Sequence, residues 1–244
     1  MHLKNHWRFL KKTVRSKKDA IDLEGDYKRS YLPISSVSLL GECETKYSDA
    51  IFGRLYPTRA MKIGAQAHQE LADALPKTSK EEIISSIKAG NAFGVREITV
   101  TDEKYKLKGR LDQLDLTGRK INGKSEGIVT DDKYTRMVYD SIPPHYKLQL
   151  AAYGSAISNS KDFGHLCEIV GARLVCRNRL TQEIKQAFSV DCEELQSWKD
   201  NVPLAAKVGW VLYNKERQPV HRRLEIGTGE WVKCGCVSMR FNSQ

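Results

Sequence analysis

The residues with the most chemistry in them stand on two short runs near the middle of the chain. KLKGRLDQLDL carries Asp112, and GIVTDDK ends on Asp131, Asp132 and Lys133. On an extended chain alternate side chains share a face. Asp112 therefore goes with Leu114 and Leu116, and Asp131 with Val129 and Lys133, while Asp115 and Asp132 point the other way and are expected to face solvent. A carboxylate on an apolar-leaning face is costly unless it is paired or bound to metal. Two of them converging beside a lysine can hold a hard divalent cation through oxygen, although Asp131 and Lys133 alone would equally make an ion pair at a strand end. A slip of one residue would exchange Asp112 and Asp131 for Asp115 and Asp132.

Two helices must flank these runs. RAMKIGAQAHQELADAL sets Ala60, Gly64, Ala67, Leu71 and Leu75 on one stripe that stops at Pro76, with His68 on its flank, a position that suits a core histidine as well as a ligand. PPHYKLQLAAYGSAIS opens on prolines suited to a helix start and places Gln149 and Tyr153 one turn apart, with Tyr146, Leu150 and Tyr153 along one face. SKEEIISSIKAG predicts a helix capped by Ser79 and closed by Gly90. REITVTD, YKLKGRLDQLDL and GIVTDDKYT, with a polar turn at TGRKING, predict a β-meander, and LCEIVGARLVCRN with EIKQAFSVD a further strand pair. EELQSWKDNVPLAAKVGWVL is helical, with Pro203 set to kink or split it.

With 40 Lys and Arg against 30 Asp and Glu in 244 residues, the chain carries a net charge of +10 and suits a polyanionic partner such as nucleic acid. A basic N-terminal helix and linker over residues 1–30, a main domain over 31–213 and a basic, cysteine-bearing tail over 214–244 are the expected divisions. No apolar run reaches the roughly 20 residues needed to span a membrane. The N-terminus lacks the apolar core of a signal peptide, so a cytoplasmic, reducing location is expected, with no membrane partner. The six cysteines are scattered except for Cys234 and Cys236, which favours free thiols or metal ligands over a disulfide scaffold.

Taken in order, His68, Asp112, the Asp131–Lys133 pair and the Gln149–Tyr153 pair resemble the motifs of the RecB-like branch of the PD-(D/E)XK nuclease superfamily, which includes AddB-type nuclease domains and CRISPR-associated RecB-like exonucleases. Gly64 to His68 matches the helical histidine motif, Gly109 to Asp112 the G-x-x-D strand, Asp131 to Lys133 the D-x-K motif with Thr135 displaced by one, and Gln149 to Tyr153 the Q-x-x-x-Y helix. The resemblance spans roughly residues 36–236, and its force lies in the joint order and not in any single motif.

The resemblance implies a mixed α/β (α+β) fold of the restriction-endonuclease-like kind, a central mixed β-sheet flanked by helices. It implies a metal-dependent deoxyribonuclease, an exonuclease on single-stranded DNA or duplex ends, with a site-specific end-processing endonuclease or a catalytically silent nucleic-acid-binding adaptor as alternatives. Asp112 and Asp131 would hold Mg²⁺ or Mn²⁺ with His68 and the backbone carbonyl of Asp132. Lys133, its pKa lowered by the cation, would orient or deprotonate the attacking water, and Gln149 and Tyr153 would hydrogen-bond a phosphate or Lys133. Lys11, Lys12, Arg110, Arg136, Lys147, Arg222 and Arg223 are the expected DNA contacts, and a protein partner in a DNA-processing or CRISPR-adaptation complex is a further expectation. Members of this branch also frame the domain with a four-cysteine iron-sulfur cluster. Cys43, Cys234 and Cys236 match three of its positions, but the C-x-C spacing is tight and no cysteine follows, so Cys192 is the candidate fourth ligand. A three-cysteine cluster, Zn²⁺ and free thiols at a vestigial site are the alternatives, the last being favoured.

Overall fold

The first described strand, β1 (Leu32–Pro33), leads into a single-turn helix α1 (Ile34–Val37), followed by α2 (Glu44–Ile51), α3 (Arg59–Asp73) and α4 (Lys80–Ala89). The computed structural model describes residues 29–55, 58–73, 78–178 and 180–237. The expected N-terminal helix, with Lys11 and Lys12, the helix stop at Pro76, and the side chain of His68 within α3 lie outside the described residues. Helix α4 begins on a capping box, with Ser79 and Glu82 exchanging hydrogen bonds, and ends on Gly90 in the left-handed region at φ 70°.

Three strands follow, β2 (Ala92–Asp102), β3 (Leu107–Ile121) and β4 (Lys124–Tyr134), then helix α5 (Pro144–Ser158) and the strands β5 (Cys167–Arg177) and β6 (Ile184–Val190). They form a six-stranded mixed sheet in the order β1-β3-β4-β5-β6, with β2 on the free length of β3. Strands β4 and β5 are parallel, joined across α5, and the β2, β3 and β4 neighbours are antiparallel. The fold is thus a mixed α/β architecture with a central mixed sheet flanked by helices. The turn expected across TGRKING is tighter than that. Strands β3 and β4 run on to Ile121 and Lys124, and only Asn122 and Gly123 turn, both at positive φ (51° and 79°). This is the backbone that an Asn-Gly pair adopts at least cost in a two-residue hairpin.

Helix α5 is buried on every side from Leu148 to Ile157 and not along one stripe, because it packs against the sheet and against neighbouring helices at once. Two of these neighbours, α6 (Cys192–Lys199) and α7 (Val202–Tyr213), are one helical pattern divided at Asn201, with Pro203 in the first turn of α7, where a missing N–H costs nothing. A small hairpin of β7 (Arg222–Leu224) and β8 (Trp231–Lys233) closes the described chain. Its anchor is Glu44, the fully buried first residue of α2, which accepts paired hydrogen bonds from Arg217 (2.7 and 2.8 Å) and one from Arg222 Nε (2.8 Å). Among the described residues no helix is long and apolar enough to cross a membrane.

Candidate active site

Strands β3 and β4 pair with Leu114 opposite Val129 and Gln113 opposite Thr130. Continuing that register by one residue sets Asp112 against Asp131, an arrangement of like charges that destabilises a sheet unless something offsets it. Both are buried, at 8% and 1% exposure, at the floor of an open cleft of about 730 Å³. Asp112 Oδ2 accepts the backbone N–H of Asp132 at 2.7 Å, and Asp131 Oδ1 accepts Nε2 of Gln149 from α5 at 3.1 Å. Asp131 Oδ2 is paired with Lys133 Nζ at 2.7 Å. Lys133 in turn stands over the Tyr146 ring, 5.1 Å from its centroid.

Burial pushes the Asp131 carboxyl up, Lys133 pulls it back, and the neighbouring charge of Asp112 raises it again, to about 7. Burial alone would lower Lys133, but Asp131 and Asp112 outweigh it and hold the ammonium above the ordinary lysine range. Without a cation the two carboxylates dominate its surroundings, and it is a fixed positive charge. Two buried carboxylates at an open cleft offer oxygen donors of the kind that suit Mg²⁺ or Mn²⁺.

Gln149 and Tyr153 come to the same cleft. Gln149 orients Asp131, and the Tyr153 hydroxyl donates to the Arg110 carbonyl at 2.8 Å. That contact explains Gly109. A Cβ there would stand 2.9 Å from Tyr153 Cε1 and 3.0 Å from Ile34 Cβ. Gly109→Ala is therefore expected to cost about 1–3 kcal/mol by overpacking, read as a lower midpoint in urea. An unchanged midpoint would mean that Tyr153 yields freely.

Asp132, expected in solvent, is 3% exposed. Its oxygens accept from Arg96 (3.0 Å), on β2 beyond β3, and from Arg177 Nε (2.9 Å), on the adjacent β5, two arginines that strand parity could not reveal. Asp115 is half-buried, bonded to Gln113 and Thr130. Gly64 of α3 lines the cleft, and so does Arg110, which pairs with Glu97 at 2.6 Å. Arg136 is exposed on the loop after β4. Among the described residues, the other expected DNA contacts, Lys147, Arg222 and Arg223, have partners within the fold. Lys147 covers the Trp198 ring, Arg222 binds Glu44 and covers Trp231, and Arg223 pairs with Glu225.

A second group of donors gathers away from the cleft. Cys43 Sγ is 3.2 Å from Cys234 Sγ and 3.3 Å from Cys236 Sγ, and His221 Nδ1 is 3.2 Å from Cys236 Sγ. Cys192, expected as the fourth thiolate, is exposed in the first turn of α6 and is not in this group. His221 stands in its place. The β7–β8 register explains why: Arg222 pairs with Lys233, so His221 falls beside Cys234, whose N–H bonds the His221 carbonyl at 3.3 Å. A histidine one residue ahead of a short strand was the only sign of it in the sequence. Burial pushes the Cys43 thiol up, but Cys234, Cys236 and the backbone N–H groups of Lys46 and Thr45 bring it down to about 7.

No family model matches the chain, and no curated protein matches it. Among solved structures, a candidate exonuclease from Eubacterium rectale superposes with a TM-score of 0.49 at 16% identity, covering 100% of this chain and 95% of its own. An alkaline exonuclease from Laribacter hongkongensis superposes at 0.46 and 9% identity over 77% of this chain and 89% of its own. Its complex with dAMP gives 0.45 and 10% over 81% and 91%. Identity and superposition are both low, so the chemistry of the site stands on its own residues.

Proposed function

We propose that the chain is a metal-dependent deoxyribonuclease that hydrolyses phosphodiester bonds in single-stranded DNA or at duplex ends, in the manner of an exonuclease. The observation that carries this reading is the pair Asp112 and Asp131, both buried at one open cleft, with Lys133 2.7 Å from Asp131 Oδ2. A module that only bound nucleic acid would be weakened by two carboxylates facing phosphate. Asp112 and Asp131 would hold Mg²⁺ or Mn²⁺. The bound cation would lower the pKa of a water and polarise the phosphoryl oxygen.

The chain's own groups do the rest. Gln149 and the Asp132 N–H fix the two carboxylates in position. Lys133 would orient the attacking water and offset the negative charge that grows on the phosphoryl oxygens as the water, having lost a proton to solvent, bonds to phosphorus and the leaving sugar oxygen departs and takes up a proton from solvent. Arg110 at the cleft wall suits a neighbouring phosphate. Met137 and Tyr139 line the cleft mouth, and Met137 is 62% exposed, an apolar rest for unpaired bases that supports a single-stranded substrate.

The test is cleavage of end-labelled linear and of circular single-stranded DNA with Mg²⁺ or Mn²⁺. Linear DNA should be degraded, the circle spared, EDTA should stop the reaction, and Lys133→Ala should slow it by about 10²-fold or more. No cleavage of either DNA with either ion overturns the nuclease reading, and cutting of the circle makes the enzyme an endonuclease.

A further inference from the structure

We infer that Cys43, His221, Cys234 and Cys236 form a mononuclear zinc site that ties the start of α2 to the β7–β8 hairpin, and not the seat of an iron-sulfur cluster. The four donor atoms all lie within 4.8 Å of one another. Around one tetrahedral Zn²⁺, with Zn–S near 2.3 Å and Zn–N near 2.0 Å, neighbouring donors stand about 3.5–3.8 Å apart. The separations found here, 3.2 and 3.3 Å between sulfurs and 3.2 and 3.9 Å from His221 Nδ1 to two of them, belong to that scale. The thiolates of a four-iron cluster each bind a different corner iron, so they must spread wider than donors that converge on one ion. Three thiolates and an imidazole are also a usual structural zinc set.

The elements that carry the donors are suited to the task. Cys43 is fully buried at the N-cap of α2, where the N–H groups of Thr45 and Lys46 support a thiolate. Cys234 and Cys236 flank the first residue of a 3-10 turn, Gly235–Val237, which lets two thiols one residue apart face the same point. Four donors leave no open position, so the site is closed and does no chemistry of its own. Its work is to join segments almost 180 residues apart in sequence (178 between Cys43 and His221), and zinc bound only by the folded chain adds its binding energy to stability. The inference is independent of the nuclease reading, since either can fail alone.

Elemental analysis of the full chain, purified without affinity metal and under reducing conditions, is the direct measurement. It should give about one zinc per chain, no stoichiometric iron or sulfide, and no visible absorption. Cobalt substituted for zinc should give tetrahedral d–d bands and thiolate charge-transfer absorption. Chelation should lower the thermal midpoint and added zinc restore it. His221→Ala, which removes an exposed ring and so should fold, is expected to weaken zinc binding by more than the roughly 10–100-fold that loss of a supporting hydrogen-bond partner costs, whereas His221→Cys should keep the metal. Stoichiometric iron and sulfide, a disulfide between Cys43 and Cys234 in place of metal, or unchanged zinc affinity in His221→Ala would each overturn the inference.

Discussion

Asp131→Asn is expected to abolish cleavage while gaining stability on wild type as pH rises. The carboxylate is the pivot of the cleft, bonded by Gln149 and touched by Lys133. Its loss removes a cation ligand and the several kcal/mol of charge stabilisation that the cation supplies, about 10³-fold or more in rate. The stability effect has the opposite sign. In the metal-free protein this carboxyl titrates near 7, whereas an aspartate in an unfolded chain titrates near ~3.9. Between those values the folded state binds more protons, so the stability that protonated Asp131 contributes is full below ~4 and is lost as pH rises to about 7. Asparagine does not titrate. Urea denaturation in EDTA at pH 5 and pH 8 should therefore show the variant gaining on wild type at the higher pH. A difference that stays flat would mean that Lys133 compensates the charge fully. Adding Mn²⁺ should stabilise wild type and leave the variant unmoved.

The largest effect on stability alone is expected from Glu44→Gln. The side chain is fully buried and receives both terminal nitrogens of Arg217, Nε of Arg222 and the Val220 N–H at 3.2 Å. Glutamine keeps the shape but turns an NH₂ toward guanidinium donors and leaves two cations without their anion. Breaking one side of such a buried pair costs about 3 kcal/mol, a fall of roughly 6–12 °C in the thermal midpoint for a domain of this size. Burial pushes the Glu44 carboxyl up, but Arg217 and Arg222 bring it below the usual glutamate range. The stability it contributes is therefore present above ~4.3, the unfolded value, and is lost as pH falls below it through the folded pKa. Differential scanning calorimetry from pH 3 to 7 would show the gap between wild type and Glu44→Gln narrowing in acid. A midpoint unchanged at pH 7 would mean that Arg217 and Arg222 find solvent at no cost.

What could be read in the sequence was whatever a local period or a punctuating residue encodes. Alternation along Leu111–Leu116 and Val129–Lys133 separated the two faces of the sheet, Ser79 and Gly90 bounded α4, and Pro203 divided α6 from α7. What could not be read depends on partners distant in the chain. Asp132 looked solvent-facing because parity says which way a side chain points and not what waits there. Its arginines are 36 and 45 residues away. His221 was not among the expected ligands, and only the hairpin register lays it beside Cys234. The Tyr153 hydroxyl finds its partner within the fold, the Arg110 carbonyl, 43 residues away. The turn at TGRKING offered two glycines, and only the Asn122–Gly123 pair has the positive φ at both positions that closes a two-residue hairpin.

Asp131 and Asp132 are neighbours that answer to opposite sides of one sheet. A one-residue slide of β4, or a roll about its own axis, would have to pull Asp132 out of the grip of Arg96 and Arg177 before it could disturb Asp131. The far side of the sheet thus acts as a keel for the cleft. Met137, Tyr139 and Arg110 on the cleft wall take no part in that keel of Asp132, Arg96 and Arg177.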